Sequence, residues 1–160
     1  MKRFWRYIRY THNITTMDRY LKSPEAYYIK KGVEEKEYFL QKYVYHLKLR
    51  GLHTPKPVFY DKKEKTMVMA KIHGMSVSDI YGDDVNNVPP QVFTEIRKIM
   101  IKLKQCEILY PDFTGYNFII DNNDRFWVID FEHASFCSDI NDPFVLSICE
   151  GETMWNEEFM

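Results

Sequence analysis

The chain predicts an α+β fold in two unequal parts: an antiparallel sheet carrying one long helix, then a mainly helical portion. Three observations predict it. Residues 33–50 and 91–106 repeat apolar side chains at intervals of three and four, the period of an amphipathic helix. Residues 58–72 and 118–129 each read as two apolar strands around a polar turn. Strand, helix and hairpin come first and a second helix and hairpin follow, which separates a sheet-rich half from a helical one.

Taken in order, Phe4-Trp5-Arg6-Tyr7-Ile8-Arg9-Tyr10 alternates imperfectly and is read as a strand. Ala26-Tyr27-Tyr28-Ile29-Lys30 is a clearer one, ending in a turn at Gly32. The helix over Val33–Arg50 carries Phe39, Tyr43, His46 and Leu47 on one stripe, with Gly51 where a C′ residue belongs. Thr54-Pro55-Lys56-Pro57 breaks the chain into extended backbone. Val58-Phe59-Tyr60 and Thr66 to Ile72 then pair across the turn Asp61 to Lys65, and Gly74 closes the second strand. Pro89-Pro90 open a helix over Gln91–Cys106 with Phe93, Ile96, Met100 and Leu103 inward. The last hairpin runs Phe118-Ile119-Ile120-Asp121, a turn at Asn122-Asn123-Asp124, then Arg125 to Ile129.

That hairpin joins the most informative residues. Asn117 follows Asp112 by five positions, and Asp130 follows Asn117 by thirteen. A tight hairpin folds Asp130 back beside Asn117, so that two oxygen donors can share a hard cation. Asp112 would orient or accept the proton of an attacking hydroxyl, which is the division of labour phosphoryl transfer requires. Turn-forming roles are the plain alternative for these residues. Asp130, however, follows an apolar strand, where a turn residue would be redundant.

Pro111-Asp112-Phe113-Thr114-Gly115-Tyr116-Asn117 and Ile129-Asp130-Phe131-Glu132-His133-Ala134 resemble the catalytic and metal-binding loops of the protein-kinase-like superfamily. The Asp-Phe-Glu form is similar to that of choline kinases and aminoglycoside phosphotransferases. The shortness of the chain resembles the small atypical kinases, of the RIO type and of the tRNA threonylcarbamoyl machinery. The resemblance covers about residues 26–135 and implies a reduced bilobal protein-kinase-like fold, with residues 1–72 as N-lobe and 73–160 as a truncated C-lobe. It also implies ATP and magnesium as cofactors, with Asn117 and Asp130 as metal ligands and Asp112 as the catalytic carboxylate. Ala26-Tyr27-Tyr28-Ile29-Lys30 is similar to the strand whose lysine neutralises phosphate oxygens, which makes Lys30 catalytic and nucleotide-binding; Lys31 is its rival on the opposite strand face. Glu34, Glu35 and Glu37 are available to hold that lysine, and Glu37 matches best. Met69-Ala70-Lys71-Ile72-His73-Gly74 resembles an adenine-lining hinge, which implies nucleotide contacts from Met69, Lys71 and Ile72, and from Ile129 beside the metal loop.

Three departures separate the chain from that pattern. Tyr110 stands where a histidine is usual, no glycine precedes Gly32 to form a phosphate loop, and only 30 residues follow Asp130. The leading expectation is a phosphotransferase acting on a protein Ser/Thr or small-molecule hydroxyl, with a partner protein supplying docking. The alternative is a pseudokinase serving as a binding or inhibitory module.

Composition narrows the classes further. At 45% hydrophobic and 16% aromatic residues, the 160-residue chain is not disordered. Three cysteines without metal spacing suggest a reduced cytoplasmic setting, the nucleus included. There is no run of 18 apolar residues and no apolar leader, so neither membrane span nor signal peptide is expected. Residues 1–31 carry eight Lys or Arg against Asp18 and Glu25, whereas residues 122–160 carry nine Asp or Glu against Arg125 alone. Arg3, Arg6 and Arg9 among aromatic residues offer RNA a stacking and phosphate-binding surface. Mutual neutralisation of the two ends is the plainer reading. His133 and Cys137 have ligand-type spacing but no second pair, so no structural zinc is expected.

Overall fold

The computed structural model describes residues 17–160. The expected strand at Phe4–Tyr10 and the Arg3, Arg6, Arg9 series lie outside the described residues. The first sheet is antiparallel, in the order β1 (Tyr27–Lys31), β3 (Thr66–Ala70), β2 (Pro57–Asp61). Lys30 sits opposite Met67 in this register, and a bulge falls between Pro57 and Phe59. Gly32, at φ 74°, turns the chain out of β1, and Val33 donates its N–H to the Lys65 carbonyl.

Helix α1 spans Glu35–Leu47, inside the expected limits. It stops at Lys48, which adopts the left-handed conformation three residues before the expected Gly51. Its buried face is Glu37, Leu40, Gln41 and Val44. The expected stripe is thereby corrected: Phe39 and Tyr43 are 54% and 42% exposed, and His46 is exposed too. Two polar residues occupy the inner face because each finds a partner there, as described below. Apolar periodicity alone cannot detect that exchange.

The larger core lies in the second half. Helix α3 (Pro90–Gln105) buries Val92, Phe93, Ile96, Ile99, Met100 and Leu103, which includes the whole expected stripe. Against it pack Tyr110, Phe113, Phe118, Val128, Phe131 and Trp155, all 5% exposed or less. The last expected hairpin forms, β6 (Phe118–Asp121) pairing with β7 (Phe126–Val128). Gly74 does not close a strand. It begins β4 (Gly74–Ser76), which pairs with β6; a Cβ there would lie 2.2 Å from the Ile120 carbonyl oxygen, so only glycine fits.

Shorter elements escaped the periodicity reading: α2 (Val77–Tyr81), α4 (Pro143–Glu150) and the two-residue pair β5 (Ile108–Leu109) with β8 (Ser135–Phe136). Ser76 and Asp79 form a reciprocal capping box on α2, and Asp142 caps α4. Arg97 of α3 binds the carbonyls of Ile148, Gly151 and Glu152 at the far end of α4. Among the described residues no helix is long and apolar enough to cross a membrane.

Asp121 is the hub of the β6–β7 hairpin. Its side chain is 6% exposed and accepts hydrogen bonds from the backbone of Asn123 and Arg125, the Arg125 guanidinium and the Trp127 indole. Burial raises its pKa, but these donors outweigh burial and bring it down to about 2 from 3.8. The stability so gained is present above pH ~4 and lost as pH falls toward 2. An Asp121→Asn variant is expected to unfold with about 2 kcal/mol less stability at neutral pH and to lack this acid dependence. Urea titrations at pH 7 and across that acid window check both.

Candidate active site

A cavity of about 370 Å³ opens where β1, α1, the segment after β3 and the end of the catalytic hairpin meet. Lys30 reaches into it from β1. Its ammonium donates to Glu37 Oε1 at 2.6 Å and to Asp130 Oδ1 at 2.9 Å. Lys31, the rival, points to the other face of the strand and is exposed. Glu34 and Glu35 instead pair with Lys65 and Lys62 on the surface, so Glu37 is the carboxylate that meets Lys30.

Helix geometry explains the selection. Glu37 and Gln41 lie one turn apart on the buried face. Glu37 is 2% exposed, and burial pushes its carboxyl above the ordinary value, with Lys30 offsetting part of that rise. Burial opposes the Lys30 charge, yet the hydrogen bonds and charges of Glu37 and Asp130 more than compensate, raising its pKa. Gln41, 1% exposed, donates through Nε2 to the Pro55 carbonyl and approaches Met69 Sδ at 3.5 Å. It lines the cavity with Met69, Lys71, Ile72, Ile129 and Asp130. The sequence reading missed Gln41, although its spacing of four from Glu37 was a usable signal.

The loop that carries Asp112 is held through its own carbonyls. Asn117 Nδ2 donates to the Asp112 carbonyl at 3.0 Å, which leaves the amide oxygen as the group available to a cation. Ile129 donates its N–H to the Asn117 carbonyl, so the hairpin does bring Asn117 beside the residue preceding Asp130. Asp112 is half-buried. Burial, then the nearby charge of Asp130, raises its carboxyl above the ordinary range, with Asn117 working in the opposite sense. Tyr110, 1% exposed, donates its hydroxyl to the Ile129 carbonyl at 2.6 Å and packs its ring on Phe131 and Phe118. Burial pushes the phenol far above its usual pKa, so it remains a neutral donor. A tyrosine thus ties the segment leading to Asp112 to the residue before Asp130.

Asp130 itself has φ 60°, a left-handed backbone that non-glycine residues adopt at a cost. Carboxylate oxygens of Glu37, Asp130 and Glu132 lie within 4.8 Å of one another, an all-oxygen set of the kind a hard divalent cation takes. The Lys30 ammonium lies on the first two of them, and carboxylate oxygens are the ligand type that magnesium takes. His133 lies against Phe159, and Cys137 contacts the Asp139 carbonyl.

The RIO domain family model matches residues 2–142. The chain belongs to the RIO domain family. Relatives of this RIO domain include a probable serine/threonine-protein kinase BUD32 homolog from Archaeoglobus fulgidus, 32% identical over 87 residues, which are 54% of this chain and 40% of that protein. Serine/threonine-protein kinase rio2 of Dictyostelium discoideum is 23% identical over 123 residues, 77% of this chain and 22% of that one. The RIO domain therefore spans less than half the length of these curated relatives. Among solved structures, the Cydia pomonella granulovirus kinase PK-1 superposes with a TM-score of 0.52 at 15% identity, covering 72% of this chain and 46% of the other. Its likeness supports a kinase-like fold: a reduced bilobal arrangement of mixed helices and antiparallel sheets.

Proposed function

We propose that this RIO domain is an ATP- and magnesium-dependent phosphotransferase, with the N-lobe ending near residue 72 and the C-lobe occupying 73–160. The observation that carries the reading is the Lys30 ammonium held between Glu37 and Asp130 in the cavity wall. A charged lysine fixed by one buried carboxylate is positioned to neutralise nucleotide phosphates. Asn117 and Asp130, with Glu132 adjacent, would hold magnesium, which supplies charge neutralisation at the phosphates.

The reaction transfers the γ-phosphoryl group from ATP to an acceptor oxygen. The bond to the ADP oxygen breaks, the new P–O bond forms, and the acceptor proton passes to Asp112. Met69, Lys71, Ile72 and Ile129 are the proposed base-binding wall, and Gln41 stiffens it through Pro55. We favour a protein serine or threonine as acceptor because the curated relatives are named as such kinases; a small-molecule hydroxyl is the second choice, on the Asp-Phe-Glu form. A partner protein that docks the acceptor and an intracellular, cytoplasmic setting complete the proposal.

A non-catalytic binding module is favoured by one observation, the absence of any glycine before Gly32 to wrap the phosphates. Thermal-shift titration with ATP and magnesium separates the two. At a nucleotide concentration about 100 times Kd, the catalytic reading expects stabilisation of about 2.7 kcal/mol, abolished in Lys30→Met. No shift with nucleotide, with or without magnesium, would contradict nucleotide binding and leave the binding-module account standing.

A further inference from the structure

We infer that Asn156, 44 residues beyond Asp112, is a positioning residue for that catalytic carboxylate; the inference rests on the phosphotransferase reading. Asn156 is 8% exposed. Its Nδ2 donates to the Pro111 carbonyl at 2.7 Å, and its backbone N–H donates to the Phe113 carbonyl at 2.9 Å. These are the two peptide carbonyls flanking Asp112. The carbonyl of Asp112 itself accepts from Asn117 Nδ2 and the Thr114 N–H. The loop on which the carboxylate stands is therefore gripped at consecutive carbonyls, and a single distant residue holds both outer ones.

The grip is itself braced. Asn156 Oδ1 accepts the Glu158 N–H, capping the short turn Glu157–Phe159 and fixing which end of the amide faces the loop. Trp155 packs against Phe93 and Phe113, with centroids at 4.8 and 5.4 Å, and anchors the segment to α3 and to the loop together. Phe159 lies 4.9 Å from the His133 ring, beyond Asp130. One segment thus touches the catalytic loop and the residues just after the metal loop. Without Asn156 Nδ2, the Pro111 carbonyl keeps only the local bond from the Phe113 N–H. Small displacements of a group that must meet a reacting proton cost rate steeply.

Asn156 lines no part of the cavity, so its loss should act on turnover rather than on nucleotide affinity. The test measures magnesium-dependent ADP release by the full chain, with Kd for magnesium–ATP and Tm determined in parallel. Asn156→Ser keeps a capping oxygen for Glu158 but cannot reach Pro111; Asn156→Asp keeps the shape and cap but loses the donor. Both are expected to lower kcat about 10- to 100-fold, with Kd within about twofold of wild type. Glu157→Gln, which leaves the amide in place, should keep wild-type turnover. Equal kcat in the two Asn156 variants and wild type overturns the inference, as does a kcat loss that merely follows a fall in Kd or Tm. Failure of both variants to fold assigns Asn156 to stability and overturns it as well. A wild-type chain that binds magnesium–ATP yet releases no ADP sinks the phosphotransferase reading first, and this inference with it.

Discussion

Asp130→Asn is expected to lower phosphotransfer by roughly 10³-fold or more while leaving the fold intact. The substitution removes one negative charge from the proposed cation site and from beside Lys30, which keeps its ion pair with Glu37 at 2.6 Å. Charge-stabilising groups of this kind contribute several kcal/mol to a transition state, on the order of 10²–10³ in rate for one donor and more where a metal is displaced. The backbone gives the experiment its clarity. Asp130 has φ 60°, and Asn tolerates that region as well as Asp does, whereas Ala does not. Asp130→Asn should therefore retain wild-type Tm, and Asp130→Ala should lose stability as well as turnover. ADP release and a thermal melt on both variants check this; residual activity within tenfold of wild type in the Asn variant would contradict the assignment.

Phe113→Ala is expected to produce the largest loss of stability at any position touching the site, about 3–5 kcal/mol. Phe113 is fully buried and sits in the middle of an aromatic cluster, with Phe93, Phe118, Phe144 and Trp155 centroids between 5.3 and 6.1 Å away. Truncation leaves a cavity that rigid rings cannot collapse to fill, so the cavity cost adds to the lost transfer energy. A domain of this size has only about 5–15 kcal/mol in total. Because Phe113 adjoins Asp112, the same change should also loosen the catalytic loop. Urea unfolding of Phe113→Ala and the milder Phe113→Leu gives the magnitude. A loss below about 1 kcal/mol for the alanine variant would mean that the cluster repacks freely.

The β6–β7 hairpin, both long helices and the first sheet were legible because each is a local pattern of period two or near 3.6. The approach of Asn117 to Ile129 was legible for the same reason: once β6 and β7 pair, the Ile129 N–H to Asn117 carbonyl bond follows from register alone. The inner face of α1 was not. Phe39 and Tyr43 looked like core, but burial of Glu37 and Gln41 is decided by partners on other elements, Lys30 and the Pro55 carbonyl. The strand role of Gly74 was hidden likewise, since its pairing with Asp121 spans 47 residues. Tyr110 looked like a departure from a histidine pattern, yet its hydroxyl makes the link to Ile129. Asn156 had no local signature at all; only the tertiary path of the chain brings it to Pro111.

On the proposed reading, Asn117 and Asp130 share one divalent cation beside Lys30. A crystal structure with a non-hydrolysable ATP analogue and manganese tests it most directly, because manganese can be located by its anomalous scattering. The expected result is a manganese peak ligated by Asn117 Oδ1 and an Asp130 carboxylate oxygen, with the base against Met69 and Ile72 and the phosphates at Lys30. A nucleotide bound elsewhere, or manganese that ignores both side chains, would contradict it.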